Sequence, residues 1–146
     1  MKLIIQYLFK LLVRRESYGK QSFFINLQKR QFMQNTLNKT VFIKSDKIGE
    51  GELGSMLTKG FLNAMSQQEN LPEQIILVNS AILLATANEN DEVLAILKDL
   101  EQKGVKIYSC GTCLDFYEKR DDLKVGKAGN ANDIINALLN TNTVSL

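Results

Sequence analysis

Gln74-Ile-Ile-Leu-Val-Asn79 is apolar almost throughout. A strand with one solvated face would alternate, so this run reads as a central strand buried on both sides, the kind found in parallel sheets. Its neighbours agree. Upstream, Thr40–Ser45 (TVFIKS) has the β-rich composition of a first strand, and Glu52–Gln67 follows with Leu53, Met56, Leu57, Phe61, Ala64 and Met65 near the spacing of one buried helix face. Pro72 is expected to close the exit loop of that helix. Downstream, a helix is expected from Asp91 to Lys103, with Val93, Leu94, Ile96, Leu97 and Leu100 as its core stripe. Asn90 is its expected cap, Asp91 and Glu92 meet the positive end of its dipole, and Gly104 ends it. Val105–Ser109 (VKIYS) is then a third strand. A short helix over Leu114–Arg120, a fourth strand around Leu123–Lys127, a helix over Ala131–Leu139 and an edge strand over Thr143–Leu146 complete the alternation. Strands alternating with amphipathic helices predict an α/β fold: a three-layer α/β/α sandwich around a mostly parallel sheet of about five strands.

The net charge of +2 hides two unlike segments. Residues 1–39 hold eight Lys and Arg against one acid, Glu16, whereas residues 40–146 hold ten basic and fifteen acidic groups. A basic N-terminal extension over 1–39, poorly ordered or the remnant of a truncated domain, is therefore expected to precede a mildly acidic domain over 40–146. Met1–Val13 is interrupted by Gln6 and Lys10, and no small-residue cleavage site follows it, so neither a processed leader nor a membrane-spanning segment is expected. The aromatic residues of this extension lie among its basic groups, but no recognisable module accompanies them and no specific nucleic-acid binding is expected.

The chain contains no His. That excludes Ser-His-Asp and Cys-His hydrolases and zinc sites of the His-Glu-x-x-His kind. Its two Cys cannot complete a four-ligand zinc site within one chain, and no metal or cofactor is expected. Both lie in one short loop, which suits a reducing compartment, here the cytoplasm, better than a disulfide-stapled secreted fold.

That loop, Ser109-Cys110-Gly111-Thr112-Cys113, is a C-x-x-C placed after a buried strand and before a helix. In open α/β sheets, catalytic groups gather beyond the carboxyl ends of the strands. A thiol there also meets the N–H groups of the following helix, which favour thiolate. Lys119 and Arg120 would add to this, and Asp115 and Glu118 would oppose it. Gly111 is expected to allow a tight turn and leave room for a sulfur or selenium atom. The bland alternative is that both thiols pack as small apolar groups. A thioredoxin-like fold is disfavoured, because the single proline, Pro72, lies far from the cysteines in a helix-to-strand loop.

Gly49-Glu50-Gly51-Glu52-Leu53-Gly54 matches G-x-G-x-x-G literally. As a dinucleotide site it is poor: Glu50 and Glu52 bring negative charge to the place of a pyrophosphate, and the second strand ends in Asn79 where a ribose-binding acid belongs. Two readings stay open, an acidic loop walling the cysteine pocket and a solvated turn with Gly54 in close helix packing.

Taken together, Thr40-Val-Phe-Ile-Lys-Ser-Asp46, the acidic glycine loop, Lys59-Gly60-Phe61, Leu71-Pro72, Asn79, Leu97–Val105 and Ser109-Cys-Gly-Thr-Cys-Leu114 resemble the DsrE-like domain of the YedF-like proteins associated with selenium metabolism. The resemblance covers nearly everything after residue 39. It implies the α/β/α sandwich of sulfur-relay DsrE and DsrF proteins and a homo-oligomer. It also implies a persulfide-carrying cysteine at Cys110, with Cys113 as resolving or assisting thiol. Asp46, Gly49, Glu50, Gly51, Asn79, Gly111 and Thr112 are the expected pocket. Relatives usually begin with a TusA-like carrier domain bearing a Cys-Pro motif, and residues 1–39 contain neither Cys nor Pro. A separate TusA-like protein is thus an expected partner, beside a small sulfur or selenium donor. Ser80-Ala81 stands where many relatives have glycine, which implies a bulkier pocket wall. The functional expectation is a sulfur or selenium carrier; the alternatives are a non-catalytic oligomeric binding module and a dithiol redox domain.

Overall fold

The computed structural model describes residues 36–146. The sheet is built outward from β2 (Leu71–Leu77), of which every residue but Glu73 is buried. On one side β2 pairs with β1 (Thr36–Ile43), which in turn pairs with β5 (Asn142–Ser145). On the other it pairs with β3 (Lys106–Cys110), which pairs with β4 (Lys127–Gly129). The order is β4-β3-β2-β1-β5, and every pairing is parallel.

Parallel neighbours require crossovers, and five helices supply them: α1 (Gly51–Ser66), α2 (Ile82–Ala85), α3 (Glu92–Gln102), α4 (Gly111–Phe116) and α5 (Ala131–Asn140). From β1 to β4 the chain steps in one direction across the sheet. Right-handed crossovers then place α1 to α4 on a single face. The main core lies there: Val41, Ile43, Ile75, Leu77 and Ile107 of the strands meet Leu62, Ile82, Leu94, Leu97, Leu100 and Leu114 of the helices. The return from β4 to β5 carries α5 over the opposite face, where Ile134 and the Cβ of Tyr108 both approach Gly129. Among the described residues the sandwich has the expected three layers, with one of them made by a single helix.

Local chemistry explains both ends of α3. Asp91 caps α3, its Oδ1 accepting from the N–H groups of Val93 and Leu94 at 2.9 and 3.0 Å, so the cap is one residue later than expected. Gly104, at φ +96°, ends the helix. β1 begins at Thr36, four residues before the expected start, with an irregularity in its pairing between Leu37 and Thr40. Thr40 is fully buried, and its hydroxyl meets a second hydroxyl and a side-chain amide. It lies 2.6 Å from the Thr141 Oγ1 and accepts from Gln74 Nε2 at 2.9 Å, tying β1 to β2 and to the entrance of β5. The basic extension expected over residues 1–39 lies outside the described residues as far as residue 35, and 36–39 belong to β1.

Three expectations are corrected. Pro72 is not in a loop: it is the second residue of β2, near the strand start, where a missing N–H costs the ladder least. The short helix after β3 begins at Gly111, directly behind Cys110, and not at Leu114, and β4 comes at Lys127. Most consequential is the face of α1. Its buried stripe is Gly54, Thr58, Leu62 and Ser66, while Leu53 is 65% exposed and Met56 63% exposed, with Phe61 and Ala64 also outward. Leu57 and Met65 are half-buried. Close contact decides this orientation. A Cβ on Gly54 would sit 3.0 Å from the carbonyl carbon of Gly49, and the Thr58 hydroxyl accepts from the N–H of Ile48 at 3.0 Å, so only small groups fit beneath the first two turns of the helix.

Candidate functional site

β3 delivers Cys110 to its carboxyl end, and α4 starts with no intervening residue, making Cys110 the N-cap and placing Cys113 one turn along. Helical spacing makes the two side chains neighbours. Both thiols are free and half-buried. A helix of six residues has little stability of its own, so α4 depends on tertiary anchors. Leu114 supplies one, fully buried in the main core. Arg120 supplies another: it pairs with both oxygens of Asp115, at 2.5 and 2.8 Å, while Nη2 donates to the carbonyl of Gly111 at 3.0 Å.

The partner of Cys113 comes from the end of β2. The main-chain N–H of Asn79 donates to Cys113 Sγ at 3.1 Å. Asn79 has φ +53°, the left-handed conformation, which costs a non-glycine residue about 1 to 3 kcal/mol and is held only by its surroundings. The holding group is Tyr117, at the end of α4, whose hydroxyl donates to Asn79 Oδ1 at 3.2 Å. Tyr117 lies four residues after Cys113, so one face of α4 grips both ends of this contact.

The electrostatics differ from the expectation. Lys119 pairs with Asp122 at 2.7 Å, and Arg120 with Asp115, so both cations are engaged by acids of their own segment. The same pairs hold the carboxyls of Asp115 and Asp122 below the usual carboxylate range. For Cys113, burial is the largest influence and pushes the thiol up. The Asn79 N–H works against it, and the Cys110 thiol beside it adds to the rise. Ser109, the residue before Cys110, is fully buried, and its hydroxyl has no partner among the described residues, a cost of about 1 to 3 kcal/mol.

The other expected pocket residues divide into two groups. Asp46 is tied toward the thiols: its N–H donates to Ser80 Oγ at 3.2 Å, and Ser80 follows Asn79. Gly49 (φ +90°) and Gly51 (φ +63°) are turn-formers with open space around them, and Glu50 is exposed. Gly54 is the glycine in close packing. Gly111 and Thr112 open to a different cleft, about 340 Å³, shared with Asp115, Arg120, Gly129 and Asn130; neither cysteine lines it. The space over Gly111 is also not free for a substrate atom, because a Cβ there would lie 3.1 Å from Arg120 Nη2 and 3.3 Å from the Gly129 carbonyl. Ser80 and Arg120, expected as pocket wall and as support for a thiolate, act as tethers, and Tyr117 is the site-building residue that the sequence analysis does not reach. Its spacing from Cys113 carried a usable signal. Among the described residues no group of three or more Cys, Asp or Glu is placed to hold a metal, and no helix is long and apolar enough to cross a membrane.

No protein-family model matches the sequence, and no curated protein does. Solved structures do match. The ychN protein of E. coli aligns with a TM-score of 0.54 at 15% identity, over 75% of this chain and 99% of that one. The DsrE-like fold is thereby shown. A conserved protein of unknown function from Bacteroides thetaiotaomicron shares it, with a TM-score of 0.52 at 16% identity over 75% of this chain and 95% of its own.

Proposed function

We propose that this DsrE-fold chain is a thiol-based carrier of sulfane sulfur or selenium, of the YedF-like kind, with Cys110 as the entry thiol. The observation that carries the reading is a half-exposed cysteine at a strand-to-helix junction, with a second free thiol one helical turn away that has its own N–H donor. In the step proposed, the Cys110 thiolate attacks the outer sulfur of a persulfide donor R–S–SH. A bond forms from that sulfur to Cys110, the bond to R–S breaks, and R–S⁻ leaves to take up the proton Cys110 gave up. A donor R–S–SeH would deliver selenium by the same exchange. The donor is a small persulfide or a separate TusA-like carrier, and the reducing cytoplasm is the compartment in which both thiols stay free.

The test is intact-mass measurement after incubation with glutathione persulfide. Wild type is expected to gain one sulfur atom per chain and Cys110→Ser to gain none; equal loading of the two would sink the assignment.

Self-association belongs to the same proposal, with a second copy of the chain as the partner of α1. Its support is the outward apolar stripe of Leu53, Met56 and Phe61, in which Gly60 and Ala64 would let a symmetry-related helix approach closely. Sedimentation velocity reads this directly, and a chain that runs as a monomer at micromolar concentration contradicts it. A dithiol redox function is the second reading, favoured by the adjacency of the two thiols; it calls for a reversible Cys110–Cys113 disulfide and no retained persulfide.

A further inference from the structure

A carrier with one station needs one thiol, yet the most specific hydrogen bond at this site goes to the other one. Asn79 is held in a left-handed conformation by the Tyr117 hydroxyl, and its N–H is spent on Cys113 Sγ and not on a carbonyl. An N–H directed at sulfur is worth most when that sulfur carries charge. The neighbouring cations, Lys119 and Arg120, are engaged by Asp122 and Asp115, so among the described residues this main-chain donor is the contact that favours charge on Cys113, against the adjacent Cys110 thiol. Cys113 also packs against the main core, where a bound atom would be less open to external thiols than at Cys110.

We propose that Cys113 is a second carrier station, which takes the sulfane atom from Cys110, and that Asn79 is the residue positioning its sulfur. The inference rests on the carrier reading above and specifies the direction of transfer within it. The Cys113 thiolate attacks the outer sulfur of Cys110–S–SH. The bond to Cys113 forms as the bond to Cys110 Sγ breaks, and Cys110 departs as thiolate and takes up the proton that Cys113 released. No electrons enter or leave, so no oxidant or reductant is required. Helical neighbours at the N-cap and the third position of α4 need only side-chain rotation to exchange the atom.

The experiment loads the full chain with a pulse of glutathione persulfide, blocks it with iodoacetamide at a series of short times, and quantifies persulfide at each cysteine by peptide mass spectrometry, so that the ratio follows the rate of transfer. In wild type the label is expected chiefly on Cys113. Asn79→Val, whose β-branched side chain resists a positive φ, is expected to move the early Cys113-to-Cys110 ratio about tenfold toward Cys110, because the attacking Cys113 thiolate loses one hydrogen bond to a charged group. Asn79→Gly, which keeps the N–H and accepts the conformation freely, is expected to restore most of the wild-type ratio. Tyr117→Phe keeps the ring and loses only the tether, and is expected to shift the ratio in the same direction as Val by about threefold. Should Asn79→Val fail to fold, the Tyr117→Phe ratio decides. Label confined to Cys110 in wild type, or a ratio indifferent to these substitutions, overturns the second station and leaves the carrier reading standing. No label on either cysteine overturns the carrier reading itself, and this inference with it.

Discussion

Two strand-to-helix crossings at the same edge of the sheet are built in opposite ways. Between β1 and α1 the chain spends residues 44–50 in a loop, with left-handed glycines at Gly49 and at Gly51, the first residue of α1, and tied down by hydroxyls of Ser45, Thr58 and Ser80. Between β3 and α4 it spends no residue at all. The first crossing has slack, and its polar contacts serve to hold the loop. The second has none, so the strand dictates where Cys110 stands and the first helical turn dictates where Cys113 stands. A reactive group is easier to aim from the second kind of junction, because its position is inherited from the sheet and not from a loop.

The largest blow to this contrast is to loosen the tight crossing. Leu114→Ala empties a fully buried site and is expected to cost about 2 to 5 kcal/mol in urea unfolding. If α4 is held as described, Cys113 in this variant also loses its Asn79 contact and is alkylated at the rate of an ordinary exposed thiol. Within the slack crossing, Gly54→Ala drives a Cβ against the backbone of Gly49 and Ile48 at 3.0 to 3.2 Å and is expected to cost about 1 to 3 kcal/mol. Gly49→Ala meets open space and is expected to cost only about 1 kcal/mol of backbone strain. Equal costs for the two would mean that the loop does not hold α1 closely.

The smallest effect sharpens the electrostatics. With its thiol pushed up, Cys113 is expected to react with iodoacetamide only at more alkaline pH than a free cysteine, since the thiolate is the reacting form. Cys110→Ser removes one of the influences that raise it and is expected to move the onset toward acid. An onset that stays in place shows that the two thiols do not feel each other.

Much of the architecture was legible because it rests on local pattern. Gln74–Leu77 of the apolar run lies in a strand buried on both faces as read, although that strand starts at Leu71 and stops before Val78 and Asn79, and Leu94, Leu97 and Leu100 marked the inner side of α3 by spacing alone. The face of α1 was not legible, because its apolar periodicity points outward and the inner stripe is chosen by a glycine contact and a threonine hydroxyl that exist only after folding. Likewise the position of Cys110 at the end of a strand could be read, whereas the donor to Cys113 could not. Asn79 lies 34 residues away, and nothing in its sequence neighbourhood declares a left-handed backbone.

The pairing of β5 with β1 has a consequence for biosynthesis. Thr40 and Thr141, which meet across that boundary, are 101 residues apart. On the ribosome, therefore, most of the domain is made while one side of β1 still offers an open row of amide and carbonyl groups. Closing so distant a pair is entropically expensive and slow, so the nascent chain is most exposed to mispairing with another copy in the interval before its final strand emerges.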